Sequence, residues 1–157
     1  MRVLSVDIGS RNCGISVLNV EEPEPNKFEF TLIKPIYLYL AADKIGDRLL
    51  VMQRRLEKEI EDHLVELLVF EDSKFSGRCA PDLHYCCSIV HLVGAIYNLP
   101  VKKLSPSAVK KRITGVGTAG KKEVEDAVKS ILSNPPDKFE TDHTSDSCAV
   151  GIAYFLK

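Results

Sequence analysis

At 157 residues the chain is long enough for one compact domain with one core and too short for a second independent one. With 45% hydrophobic and 27% charged residues it has the make-up of an ordinary globular protein, which excludes a disordered or fibrous one. No apolar run approaches the roughly 18 residues of a membrane span, and a net charge of −1 does not by itself point to a polyanionic partner.

The chain opens on the strand-like MRVLSVDIG, without the basic region, apolar stretch or small-residue cleavage site of a secretory leader, so a cytosolic protein is expected. RVLSVDI (2–8) alternates in polarity and carries Asp7 near its end. CGISVLNV (13–20) is a second β-rich run, close enough across residues 10–12 to pair with the first as a hairpin. The acidic EEPEPN (21–26) predicts a turn, and KFEFTLIKPIYLYL (27–40) a third strand. Pro35 would interrupt a central ladder, so this strand is either broken or at an edge.

Between Ala42 and Val65, Ile45, Leu49, Met52, Leu56, Ile60 and Leu64 recur every three or four residues, which predicts a long amphipathic helix. LLVF (67–70) is wholly apolar, as in a strand buried on both faces, and it ends at Glu71. SKFSGR (73–78) reads as a loop, residues 81–99 as a largely buried helix, and VKKL (101–104) as a short strand. SPSAVKKRI begins with a Ser-Pro helix start, and GVGTAG (115–120) breaks the pattern. Two more helices complete the chain: KKEVEDAVKSIL (121–132), with Val124, Val128, Ile131 and Leu132 on one side, and DHTSDSCAVGIAYFL (142–156). Three strands, then strands alternating with helices, predict an α/β layer fold around a mixed sheet.

Five cysteines, Cys13, Cys79, Cys86, Cys87 and Cys148, are an odd number without the look of a disulfide framework. Cys79, His84, Cys86, Cys87 and His91 are close in sequence but fit no paired zinc-ligand spacing, and free thiols in an apolar stretch are the better reading. Positive charge is local. Residues 101–122 hold Lys102, Lys103, Lys110, Lys111, Arg112, Lys121 and Lys122 and no acid, which predicts a phosphate-contacting surface; Lys74 and Arg78 extend it. Within this stretch GVGTAGKK nearly spells two nucleotide-binding loops. Both need a preceding strand, however, and Lys122 lacks the hydroxyl that would hold Mg²⁺, so no nucleotide cofactor is expected.

The carboxylates form the more telling set. Asp7 closes the first strand and Glu71 the buried one. Asp142, His143 and Asp146 are three or four apart, on one face of the last helix. A lone strand-end Asp is commonly a turn residue, Asp142 suits a helix start, and His143 suits an exposed surface. Adjacent strand ends and a helix terminus can nevertheless gather them. Clustered carboxylates require a cation. Mg²⁺, or Mn²⁺ in its place, meets that need, and two such ions support phosphodiester hydrolysis.

These blocks resemble a known family. DIGSRNCGISVL (7–18), VFEDSKF (69–75), LSPSAVKKRITGVGTAGKKEV (104–124) and HTSDSCAVGIA (143–153) are similar, in order and spacing, to the motifs of the RuvC-type Holliday junction resolvases. The resemblance implies one ribonuclease-H-like domain over residues 1–157, with a mixed five-stranded sheet flanked by helices. It implies a homodimer that resolves four-way and related branched DNA by paired nicks, leaving 5′-phosphate and 3′-hydroxyl ends. Carried over by position, Asp7, Glu71, His143 and Asp146 would be metal ligands, with His143 alternatively a general base and Asp142 a possible further ligand. Lys110 and Lys121 match lysines near the scissile phosphate, and Lys121 would also stabilise the transition state. Phe75 lies one residue from the place of the family's crossover wedge. Lys74, Arg78, Lys111, Arg112 and Lys122 complete the expected DNA contacts.

Ile8 stands where the bacterial members usually have proline and Ser147 where they have alanine. DIG followed by Asn12 looks more like the branch of large DNA viruses and phages. The expected location is then a bacterial cytosol or the site of viral DNA replication in an infected host. One alternative is the RNA-processing RuvX/YqgF type, which shares DxGxxxxG; its usual Gly- and Pro-bearing second block does not match the residues after Glu71. Another is a non-catalytic junction-binding protein, against which the complete acidic set counts. A sugar-kinase-fold fragment would need a second glycine-rich phosphate loop.

Overall fold

The computed structural model describes residues 1–72 and 81–156. In chain order its elements are β1 (Arg2–Asp7), β2 (Asn12–Glu24), β3 (Lys27–Tyr39), α1 (Ile45–His63), β4 (Leu67–Glu71), α2 (Pro81–Ile96), β5 (Val101–Leu104), α3 (Pro106–Thr114), α4 (Lys121–Ile131) and α5 (Asp142–Phe155). The strands form one five-stranded sheet in the order β3-β2-β1-β4-β5. β1 pairs antiparallel with β2 and β2 with β3, while β1–β4 and β4–β5 are parallel, giving the mixed sheet expected.

Alternation along β1 sets the layers. Val3 and Leu4 are both fully buried but belong to different cores, because successive side chains leave opposite faces of a strand. One face, with Leu4, Val6, Ile15 and Phe70, packs on Met52 and Leu56 of α1 and Val90 of α2. The other, with Val3, Leu18 and Val69, packs on Val109 of α3, Val124 and Val128 of α4, and Ile152 of α5. β3 lies at the edge, where Pro35 costs no ladder bond to a further strand. The Ser-Pro start of α3 forms as read: the Ser105 hydroxyl accepts from Ala108 N at 3.3 Å.

Three expectations need correction. The predicted turn 21–26 shrinks to its last two residues, because β2 continues to Glu24 and Asn26 supplies the left-handed turn at φ 62°. The predicted helix 42–65 is α1, shorter at both ends, and Leu64 is no part of its buried stripe. Leu64 sits past the helix end at φ 52° and is 79% exposed. The helix read as largely buried, α2, buries only Cys86, Val90, Val93 and Gly94, while Tyr85, Leu92 and Ile96 face outward. An all-round apolar sequence does not tell which side the domain covers. The predicted loop 73–78, with Lys74, Phe75 and Arg78, and also Cys79, lies outside the described residues. Of the other cysteines, Cys13, Cys86 and Cys148 are buried free thiols and Cys87 is half-buried. Among the described residues no helix is long and apolar enough to cross a membrane.

α5 lies close on β1 and β2 because the residues between them are small. A Cβ on Gly14 of β2 would overlap the His143 carbonyl oxygen, and one on Gly151 would come within 2.6 Å of Leu18 Cδ1 and 2.7 Å of Ser5 Oγ. Between these points the buried Ser16 and Ser147 hydroxyls bond at 2.6 Å, and Ser147 also donates to Thr144 O at 2.9 Å. The helix is therefore pinned at both ends and in the middle.

Candidate active site

The ladder registers place Asp7 opposite Gly14, and Gly14 opposite Tyr37. On the other side, the parallel pairing of β1 with β4 runs through Val6 and Phe70, so Asp7 and Glu71 are the next residues in step. Glu71 in turn pairs with Leu104 of β5. One row across the sheet thus carries Tyr37, Gly14, Asp7 and Glu71, on the face covered by α5. The first turns of α5 lie over this row and bring His143 and Asp146 with them. His143 Nδ1 lies 2.8 Å from Asp7 Oδ2.

The carboxyls interact electrically. Burial, and then the neighbouring Asp7 and Asp146, push Glu71 up to about 7 against the opposing Lys110. Burial likewise pushes Asp146 up to about 6, with Asp7 adding to the rise and Lys121 opposing it. Asp7 is also raised by burial, against the hydrogen bond from His143. Three carboxyls that resist ionising together form a site short of positive charge. Among the described residues no three His, Cys, Asp or Glu side chains are drawn tightly enough to enclose an ion unaided. The hard oxygen donors and their mutual repulsion nevertheless fit an open divalent site, in which water and substrate phosphate complete the shell.

Glu71, Lys110, Lys121 and Asp146 line one cleft of about 200 Å³, with Pro106, Val109, Val124 and Ala149 as its apolar walls. Two larger hollows, of about 450 and 550 Å³, lie at the far ends of β1 and β4, around Met1 and Phe28 and around Arg2 and Glu66. The second also holds carboxyls, Asp62 and Glu66, but neither hollow reaches the row that carries Asp7 and Glu71. Lys121 is ion-paired with Asp142, which holds the lysine above its usual range and the aspartate below it. Asp142 thus meets this lysine from the first turn of α5.

The structure brings together Asp7, Glu71, His143, Asp146, Lys110 and Lys121. It does not bring Arg112 to the cleft: its guanidinium donates to Ala153 O at 3.0 Å, on the last turn of α5. Lys111 lies beside it, in a hollow with Ala108 and Gly115, and Lys122 is exposed next to Lys121. Tyr37 escaped the sequence reading. Its ring stacks on His143 with centroids 6.4 Å apart and planes 14° apart. The only available signal was strand parity, and the register shift between Val17 and Leu18 spoils that count along β3.

The family model of the crossover junction endodeoxyribonuclease RuvC matches residues 3–154. A RuvC from Carboxydothermus hydrogenoformans is 28% identical over 163 aligned positions, covering 100% of this chain and 97% of that protein. The structure of Thermus thermophilus RuvC in complex with Holliday junction substrate superposes with a TM-score of 0.86 at 20% identity, over 99% of this chain and 93% of that one. The Fowlpox virus resolvase, solved with substrate Holliday junction DNA, superposes with a TM-score of 0.58 at 16% identity, over 99% and 97%. The fold is thus the ribonuclease-H-like one of RuvC, and the expected leaning toward a viral or phage branch finds no support. The chain belongs to the family of the crossover junction endodeoxyribonuclease RuvC.

Proposed function

We propose that this protein resolves four-way DNA junctions by metal-dependent paired nicks that leave 5′-phosphate and 3′-hydroxyl ends. The observation that carries the reading is the convergence of Asp7 and Glu71, from neighbouring strand ends, with His143 and Asp146 from one helix turn, beside a cleft that holds Lys110 and Lys121. Family membership and a fold shared with a RuvC solved on a Holliday junction support it.

Asp7, Glu71, Asp146 and His143 would hold the metal, two ions of Mg²⁺ or Mn²⁺ per site. Bound there, divalent ions lower the pKa of a water and neutralise charge on the phosphate. The protein's own groups do the rest. An ionised Asp7 can only accept, so His143 Nδ1–H donates to it, and in the neutral imidazole Nε2 is then the atom that would ligate or take a proton. Lys121, kept cationic by Asp142, and Lys110 draw the phosphate backbone into the cleft without reading its sequence.

Two nicks call for two sites. The outer side of α2 supports a homodimer: Tyr85, Leu92 and Ile96 are 50%, 48% and 54% exposed, at helical spacing. A second copy meeting this stripe about a two-fold axis would match the near-symmetry of the junction. The deciding experiment incubates the protein with synthetic four-way, three-way, Y-shaped and linear DNA, with Mg²⁺, Mn²⁺ or chelator. Paired, metal-dependent cuts confined to branched DNA are expected, with Asp146→Asn binding but not cutting. No cleavage of any DNA with either metal overturns the proposal.

A further inference from the structure

His143 is enclosed on two sides by the row of residues beneath it. The middle position of that row, Gly14, has no side chain, and the His143 backbone occupies the space one would fill. From there the imidazole reaches Asp7 on β1 through Nδ1 at 2.8 Å. On the β3 side it lies almost parallel to the Tyr37 ring, at 14° and 6.4 Å between centroids. Tyr37 is itself tethered, its hydroxyl donating to Asn12 Oδ1 at 2.6 Å. Asn12 is the first residue of β2, so the tether leads back to the loop that leaves Asp7.

An imidazole held by one hydrogen bond keeps rotational freedom, because its ring torsion has broad minima. Turning the ring over would put Cδ2 in the place of Nδ1, break the bond to Asp7 and swing Nε2 away from its position. A flat aromatic partner on the open side restricts that motion and favours one face-to-face arrangement. We infer that Tyr37 is a positioning residue of the cleavage reaction. Its ring face clamps the His143 imidazole so that Nδ1 stays on Asp7 and Nε2 stays available to the phosphodiester. The inference rests on the nuclease reading for its consequence in catalysis, but the clamp itself is a property of the metal-free protein.

Two substitutions separate ring from hydroxyl. Tyr37→Phe keeps the stacking face and loses the bond to Asn12; Tyr37→Leu loses the face. Ring-nitrogen NMR of the metal-free proteins reads the His143 tautomer, and single-turnover cleavage of a four-way junction reads the chemistry. Tyr37→Phe is expected to keep the fixed tautomer and the wild-type rate. Tyr37→Leu is expected to show averaged ring nitrogens and a rate lower by about 10- to 100-fold, with junction Kd unchanged. Circular dichroism checks the fold, and Tyr37→Ile, better suited to a strand, replaces Tyr37→Leu if that variant unfolds. A ring-less, folded variant with wild-type rate and tautomer overturns the inference, as do equal losses in the Phe and Leu variants. A wild-type protein that binds junctions without cutting them ends the nuclease reading instead and leaves the spectra to decide the clamp.

Discussion

Gly14 and His143 approach so closely that the carbonyl oxygen of the histidine fills the place where a side chain on the glycine would begin. The last glycine of the Asp7–Gly14 motif thus has a spatial role: it lets the first turn of α5 come down beside Asp7. Gly14→Ala must lift that turn or bend β2. Overpacking of this kind costs about 1–3 kcal/mol, measurable by urea unfolding. Cleavage is expected to fall by more than the stability loss explains, since His143 is carried away from Asp7. A Gly14→Ala protein with wild-type stability and wild-type cleavage would show that the close approach is dispensable.

The raised carboxyls make a pH prediction whose sign is fixed. Glu71 is pushed up to about 7 from 4.5, and Asp146 up to about 6 from 3.8. A carboxyl whose folded pKa exceeds its unfolded one binds protons preferentially in the folded state. Its stabilising contribution is complete below the unfolded pKa and is lost as pH rises through the folded one. The metal-free protein is therefore expected to lose Tm as pH rises from the low fours to about 7. Scanning calorimetry in chelator checks this. Glu71→Gln should flatten the upper part of the slope, and saturating Mg²⁺ or Mn²⁺ near pH 8 should restore Tm by binding the ionised form.

The two lysines of the cleft predict a salt signature. Contacts to phosphates release counterions, so Lys110→Gln and Lys121→Gln should each weaken junction binding regardless of sequence. Each should lower the salt slope of log K by roughly 1. Fluorescence anisotropy between low and moderate salt measures it. Arg112→Gln is the contrast: its guanidinium is engaged with Ala153 O, so the loss should appear in stability while the salt slope stays put.

Ser147, in the middle of α5, has a fixed partner across the contact of helix and sheet. Its hydroxyl bonds Ser16 Oγ at 2.6 Å in full burial. Removing one of the pair leaves the other with poorer acceptors, at a cost of about 1–3 kcal/mol. Removing both is expected to cost less than the sum of the single changes. A double-mutant cycle of Ser16→Ala and Ser147→Ala by chemical unfolding gives the coupling, and strict additivity would show that the bond is energetically idle.

How far the sequence could be read depends on the length scale of each signal. β4 was legible because four consecutive apolar residues suit double burial, while Pro35 narrowed β3 to a broken or an edge strand, and the sheet order shows the edge. The metal-binding candidates Asp7 and Glu71 could be picked out because each closes a strand, and Asp146 because it sits one turn into the last helix, just before its apolar stripe. The hidden features are those set by register. Tyr37 meets His143 through a ladder that contains a register shift, and Arg112 turns to a carbonyl 41 residues away. The lysine run 101–122 reads as one basic surface, yet its members separate onto β5, α3 and α4 and face different ways. Charge along a chain does not report direction.

The outward stripe of α2 gives the last prediction. Tyr85, Leu92 and Ile96 share a side with half-buried Ile89, while Cys86, Val90 and Val93 face the sheet. The proposed homodimer would cover this apolar side of the helix. Leu92→Glu is therefore expected to leave the thermal midpoint of the fold nearly unchanged at high dilution and to shift sedimentation from dimer to monomer. The same variant should nick one strand of a four-way junction where the wild type makes paired cuts, because one protomer carries one cleft. A Leu92→Glu protein that sediments as a dimer and still makes paired cuts would move the interface to another face, while leaving the carboxylate site intact.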